Sequence, residues 1–174
     1  IVGVTATTGI AANIIGGRTL HSYLGIGLGK DAPIELVQKI RSSKYSDIWK
    51  RLDVLIIDEI SMLDAELFTK LDHIGREIRS RSDPFGCIKL IFSGDFLQLP
   101  CIGRKEFCFE CDAWTRCEFD VIYLRTNLRQ SDIVFKDILT RARIGALTEE
   151  DSRWLRERCR VKNHGDIEAT NIYC

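Results

Sequence analysis

The sequence predicts an α/β fold in which a parallel sheet is joined by crossover helices. Three observations predict it. Short apolar runs rich in β-branched residues occur at 1–6, 54–58 and 88–93. Segments of helical periodicity separate them. Two consecutive carboxylates, Asp58 and Glu59, stand where the second run ends. Near-continuous apolar runs are the mark of strands buried on both faces, and strand, helix and strand in this order require parallel crossovers.

Residues 1–6 predict the first strand, followed by a Thr/Gly turn and a short helix over 10–15. Gly16 and Gly17 break that helix, and 19–24 predicts another. The stretch 25–33, rich in glycine, is expected to be a flexible connection. Pro33 opens a helix to about Ser42, and a polar stretch then leads to the strand 54–58. Leu67, Leu71, Ile74 and Ile78 recur at helical spacing after Asp64, a plausible N-cap. Pro84, Phe85 and Gly86 turn the chain into the strand 88–93. A fourth strand is expected at 121–124. Ser131 and Asp132 before 133–144, with Gly145 after it, bracket a helix, and Thr148 caps a charged one to about Arg160. A last strand is expected at 171–174.

The length allows one α/β domain and the start of a second. Twenty-five basic residues balance twenty-five acidic ones, so net charge gives no support to a nucleic-acid partner. Any such contact must rest on local placement of charge. The longest apolar runs are far too short to cross a bilayer, and the first twelve residues lack the basic start of a signal peptide. Position 1 is not Met, and the chain is expected to be an internal fragment. Seven cysteines form an odd set of low density, pointing to a reducing compartment rather than secretion. Cys108, Cys111 and Cys117, with Cys101 as a fourth ligand, are candidates for zinc; reduced structural thiols are the simpler reading.

The run VLIIDE from Val54 to Glu59 carries the strongest chemical signal. Ligands bind at the C-terminal edge of a parallel sheet. Consecutive acids there suit nucleotide hydrolysis, Asp58 holding a hydrated Mg2+ ion and Glu59 orienting and deprotonating the attacking water. The competing reading is a strand that ends in a solvated acidic turn. The run IFSGDFLQLP from Ile91 to Pro100 follows at another strand end. If that strand neighbours the first, the Gln98 amide can donate to a terminal phosphate and accept from water. No G-x-x-x-x-G-K-[ST] loop occurs. Gly25 to Lys30 imitates one, but Leu24 occupies the first glycine position and Asp31 follows the lysine. The phosphate loop is expected upstream of Ile1.

Together these residues resemble the petite-integration-frequency (PIF) family of DNA helicases in superfamily 1, relatives of the RecD helicases. Residues 5–12 (TATTGIAA) resemble the family's first DNA-contacting motif, and 19–22 (TLHS) the next. The helix segment 71–79 leading to Pro84, Phe85 and Gly86 resembles its signature. The segment 124–130 (LRTNLRQ) resembles the motif that supplies an arginine finger. Cys87 stands where the family often has a second glycine, and Pro100, Cys101 and Ile102 replace a Pro-Pro-Val ending.

The resemblance implies a RecA-like P-loop NTPase core over 1–124, without its phosphate loop, and the beginning of a second RecA-like domain over 125–174. It implies a 5′ to 3′ motor using ATP and Mg2+, with single-stranded DNA and DNA forks as partners, in replication, repair, recombination or telomere maintenance. Glu59, Gln98 and Arg129 become the catalytic set, and Asp58, Gln98 and Arg129 the nucleotide contacts, with Asp58 on the metal. Thr8, Gly9 and His21 fall on the DNA face, although Thr8 and Gly9 also suit a simple cap and turn and His21 a packing role. Arg76 and Arg79 are expected on a solvated helix face, and Trp114 and Trp154 in packing. Nucleus, mitochondrion and viral replication site all suit such a protein. An RNA-directed or non-unwinding translocase and a non-catalytic binding remnant are the alternatives, and the fragment alone is expected to be inactive.

Overall fold

A computed structural model describes residues 1–101, 103 and 106–159. The expected strand at 171–174, Cys174, the helix end at Arg160 and Ile102 lie outside the described residues. The chain divides into two compact units, the first ending at Ile122 and the second starting at Tyr123.

The first unit is the predicted α/β class. Its strands among the described residues are β1 (Val2–Ala6), β2 (Arg18–Thr19), β3 (Val54–Asp58) and β4 (Lys89–Phe92). All pairings are parallel, in the order β2-β1-β3-β4. The register sets Ala6 beside Asp58 and Ile57 beside Phe92. Strand exits therefore line up along one edge of the sheet. Leu55 and Ile57 are fully buried, as a central strand demands.

Helices α1 (Gly9–Ile14), α2 (Leu20–Leu24), α3 (Pro33–Arg41) and α4 (Tyr45–Arg51) lie between β1 and β3, interrupted by the two residues of β2. Two of these elements, β2 and α4, were not expected. The polar stretch before β3 folds as α4 because Trp49 is fully buried and donates its indole N–H to Leu24 O at 3.0 Å. The buried tryptophan, with Tyr45 and Ile48 partly buried beside it, anchors a helix whose other residues are polar.

The glycine-rich stretch after α2 is pinned rather than free. Lys70, 8% exposed at its side chain, pairs with Glu66 at 2.7 Å and donates to Gly29 O at 3.0 Å. Gly25, at φ 68°, lies so close to Tyr45 that an added Cβ would fall 2.2 Å from the ring.

Helix α5 (Ala65–Arg79) is capped by Asp64, whose Oδ1 accepts the Leu67 amide at 2.8 Å. Its fully buried stripe is Phe68, Leu71 and Ile74; Leu67 is only partly buried and borders Gly29. The two arginines of its last turn are half-buried rather than solvated. Arg76 Nε bonds the buried Asp72 at 3.0 Å, and Arg79 donates to the carbonyls of Trp49, Lys50, Leu52 and Gly86. Both arginines hold the fold together, Arg76 through the buried Asp72 carboxylate and Arg79 through carbonyls at the end of α4 and in the turn after α5.

After β4, a short helix α6 (Asp112–Thr115) carries Trp114 into an aromatic cluster with Phe68, Phe92 and Phe119. The fourth expected strand does not form. Val121, Ile122, Tyr123 and Leu124 are exposed and pair with no strand among the described residues. Their apolar character suggests burial, but all four are exposed.

In the second unit, α7 (Ile133–Arg143) starts at Asp132, which accepts the Phe135 amide at 3.0 Å. Helix α8 (Glu149–Cys159) begins with a reciprocal cap: Thr148 Oγ1 accepts the Asp151 amide at 3.1 Å, and Asp151 accepts the Thr148 amide at 3.0 Å. Arg141 clamps the same carboxylate at 2.7 and 2.6 Å. Trp154 stacks on Phe135. No described helix is long and apolar enough to cross a membrane.

Candidate active site

The C-terminal ends of β1, β3 and β4 form the candidate site. β1 delivers Thr7 and Thr8, β3 delivers Asp58 and Glu59, and β4 delivers Ser93, Gly94 and Asp95. Both carboxylates are half-buried. Among the described residues neither forms an ion pair with lysine or arginine, and Asp58 accepts a short hydrogen bond from the Ser93 hydroxyl.

Glu59 adopts φ 57° and ψ 48°, a left-handed conformation that costs a non-glycine residue roughly 1–3 kcal/mol. Neighbouring strand exits hold it there. Thr7 donates its amide to Asp58 O at 3.1 Å and its hydroxyl to Glu59 O at 2.8 Å. On the other side, the Ile60 amide donates to Ser93 O at 3.0 Å. Gly94 follows so closely that an added Cβ would lie 2.8 Å from Ile60 N. Only glycine lets the β4 exit approach the acidic peptide this far.

β4 does neighbour β3, the condition on which the reading of Gln98 depended. Gln98 is exposed on a turn in which Asp95 Oδ1 accepts the Leu97 amide at 3.1 Å and Asp95 O the Gln98 amide at 3.0 Å. Phe96 anchors this turn by packing edge-on to Phe107 and Phe109, with centroids 5.8 and 4.8 Å away.

Thr8 caps α1, its hydroxyl accepting the Ala11 amide at 3.2 Å, while Gly9 is exposed with open space where a Cβ would sit. His21 lies in the first turn of α2, just beyond β2 and thus near the same edge. It is half-buried, and burial lowers its pKa against a smaller opposing pull from the Asp64 carboxylate. Arg129 stands in the second unit, exposed, in a turn whose Asn127 side-chain oxygen accepts its amide at 3.0 Å.

The edge thus brings Thr8, Gly9, Asp58 and Glu59 together at adjacent strand exits, while His21 borders Gly29 and Gln98 sits on its own turn beyond β4, neither in a described contact with the acids. Thr7 and Ser93 join them unexpectedly. A hydroxyl residue directly after one strand and at the end of another was the only signal available in the sequence.

The cysteines do not form a metal centre among the described residues. Cys108 is buried, and burial, with Cys111 next in weight, pushes its thiol up to about 12. Burial, followed by the Asp72 carboxylate, raises Cys117 to about 11. Zinc takes thiolates, which these surroundings disfavour.

With this geometry in view, the chain matches the family model "PIF1-like helicase" over residues 1–153. It is 43% identical to the ATP-dependent DNA helicase RRM3 of Saccharomyces cerevisiae over 99% of this chain and 25% of that protein. It is 40% identical to the ATP-dependent DNA helicase PIF1 of Homo sapiens over 87% of this chain and 24% of the relative. The chain therefore spans about a quarter of the length of these relatives. Among solved structures, it is similar to a Pif1 helicase from Candida albicans, at 41% identity and a TM-score of 0.90, over 95% of this chain and 38% of that one. A Bacteroides Pif1 helicase in complex with ADP-AlF3 and single-stranded DNA matches at 29% identity and a TM-score of 0.84, over 95% and 41%.

Proposed function

Because the chain belongs to the PIF1-like helicase family, we propose that it forms the central part of an ATP-dependent DNA helicase moving 5′ to 3′ on single-stranded DNA. The observation that carries the reading is the consecutive pair Asp58 and Glu59 at the exit of a central parallel strand, held by the exits of both neighbours. The backbone that carries both acids, and the Asp58 carboxylate itself, are set before substrate arrives.

The donor set fits a hydrated magnesium ion: Asp58 offers a hard carboxylate oxygen, already bonded by the Ser93 hydroxyl and without a cationic side chain among the described residues. Magnesium bound there would offset charge on the ATP phosphates. Glu59 accepts a proton from the attacking water as the bond to the terminal phosphate breaks. Gln98, on the anchored turn, reports whether that phosphate is present. Arg129 supplies positive charge from the second unit, which we read as the opening of a second RecA-like domain. Thr8, Gly9 and His21 hold the DNA backbone through hydroxyl, amide and ring groups without reading sequence.

The reading draws on the relatives' names as ATP-dependent DNA helicases and on the Bacteroides relative bound to ADP-AlF3 and single-stranded DNA. Its test uses the complete polypeptide containing these residues. ATP turnover should rise with single-stranded DNA, and forked DNA with a 5′ tail should be unwound in preference to one with a 3′ tail. Equal stimulation by RNA would favour an RNA-directed motor. Stimulation without strand separation would leave a translocase, and no turnover at all would leave a binding remnant.

A further inference from the structure

We infer that Thr7 is a positioning residue for hydrolysis, its hydroxyl holding the Glu59 peptide and tying it to the β1 exit that continues into Thr8 and α1. The inference rests on the proposed role of Glu59 as the base. One residue grips both peptides of the acid pair: the Thr7 amide takes Asp58 O at 3.1 Å, and its hydroxyl takes Glu59 O at 2.8 Å.

A left-handed glutamate stays left-handed only while its surroundings fix it. The grip from β4 is made by backbone alone, through Ser93 O and the close approach of Gly94. From β1, the hold on Asp58 O is backbone too, and only the hold on Glu59 O depends on a side chain. Removing the Thr7 hydroxyl leaves Glu59 O with the longer bond from the Met62 amide, at 3.2 Å, and loosens the peptide that carries the carboxylate.

The next residue extends the connection. Thr8 caps α1 and heads the face proposed for the DNA backbone. A strand bound at Thr8 and Gly9 bears on Thr7 through one peptide bond, and Thr7 bears on Glu59 through one hydroxyl. DNA-stimulated turnover should therefore depend on Thr7 more than binding of either ligand does.

The experiment compares Thr7→Val, which keeps the shape and removes the donor, with Thr7→Ser, which keeps the donor, and with Glu59→Gln. ATP turnover with and without saturating single-stranded DNA, KM for ATP and DNA affinity are measured on the complete polypeptide. Thr7→Val should lower DNA-stimulated kcat about tenfold, the loss expected for one such hydrogen bond. KM and DNA affinity should change by less than about threefold. Thr7→Ser should recover most of the rate.

Normal turnover by Thr7→Val beside an inactive Glu59→Gln would overturn the inference and leave the helicase reading standing. So would a defect confined to KM or DNA affinity, or a Thr7→Ser as slow as Thr7→Val. Normal turnover by Glu59→Gln would instead remove the reading of the base itself. Should Thr7→Val fail to fold, Thr7→Ala takes its place with the same outcomes.

Discussion

The Asp72 carboxylate, fully buried in α5, accepts the Phe85 amide at 2.8 Å. Its second oxygen takes Arg76 at 3.0 Å and Arg116 at 2.9 Å. This one side chain joins the helix, the turn that leads into β4 and the segment after α6. Asp72→Ala would leave the buried Phe85 amide without its acceptor, while Arg76 and Arg116, 34% and 51% exposed, turn to solvent. A buried donor left without its partner costs about 1–3 kcal/mol. Urea unfolding should show that loss, and a change below 1 kcal/mol would mean that the network contributes little.

The same turn holds a run of left-handed residues: Phe85 at φ 50°, Gly86 at 62° and Cys87 at 67°. The position where the family often has glycine is thus one where glycine is unstrained. Cys87→Gly should raise stability by up to about 1 kcal/mol. Gly86→Ala should lower it by more, since the added Cβ would meet Gly75 O at 2.5 Å. Thermal melts of the two variants should move in opposite directions.

Cysteine labelling at pH 8 should separate buried from exposed thiols. With its thiol near 12, Cys108 holds roughly one part in ten thousand as thiolate at that pH. Exposed Cys87 and Cys159 should react with iodoacetamide first, read by peptide mass spectrometry, and Cys108 last. Rapid labelling of Cys108, or stoichiometric zinc in the purified protein, would contradict this packing.

Acid should loosen the pair α7 and α8. The Arg141 guanidinium, followed by the Thr148 amide, holds the Asp151 carboxyl well below the usual carboxylate range. A depressed folded pKa stabilises above the ordinary aspartate value, near pH 4, and that contribution fades as pH falls below it. Asp151→Asn should lower the melting temperature at neutral pH and flatten its decline in acid. An unchanged acid profile would show that the clamp does not link to folding.

Much of this architecture was legible in the sequence, for identifiable reasons. β3 is an unbroken apolar run between polar residues, with Leu55 and Ile57 buried and Val54 and Ile56 partly so. Asp64, Asp132 and Thr148 cap helices through their own local amides, so a few residues of sequence suffice to predict them. Helix α4 was hidden because its burial rests on one tryptophan whose partner, Leu24, is distant in sequence. The run 121–124 misled because apolar β-branched composition cannot say whether a partner strand exists. In the site, Asp58 and Glu59 announce themselves by position at a strand end. Thr7 and Ser93 do not, since their contacts depend on the register that sets β1 and β4 beside β3.

The most direct test of the central claim is Glu59→Gln in the complete polypeptide, with nucleotide affinity and DNA-stimulated ATP turnover measured side by side. The amide keeps the shape of the side chain and cannot accept the water proton. Turnover should fall at least about a hundredfold, within the usual range for removing a general base, while nucleotide binds as before. Turnover equal to that of the parent protein would contradict the assignment of this sheet edge as the hydrolytic site.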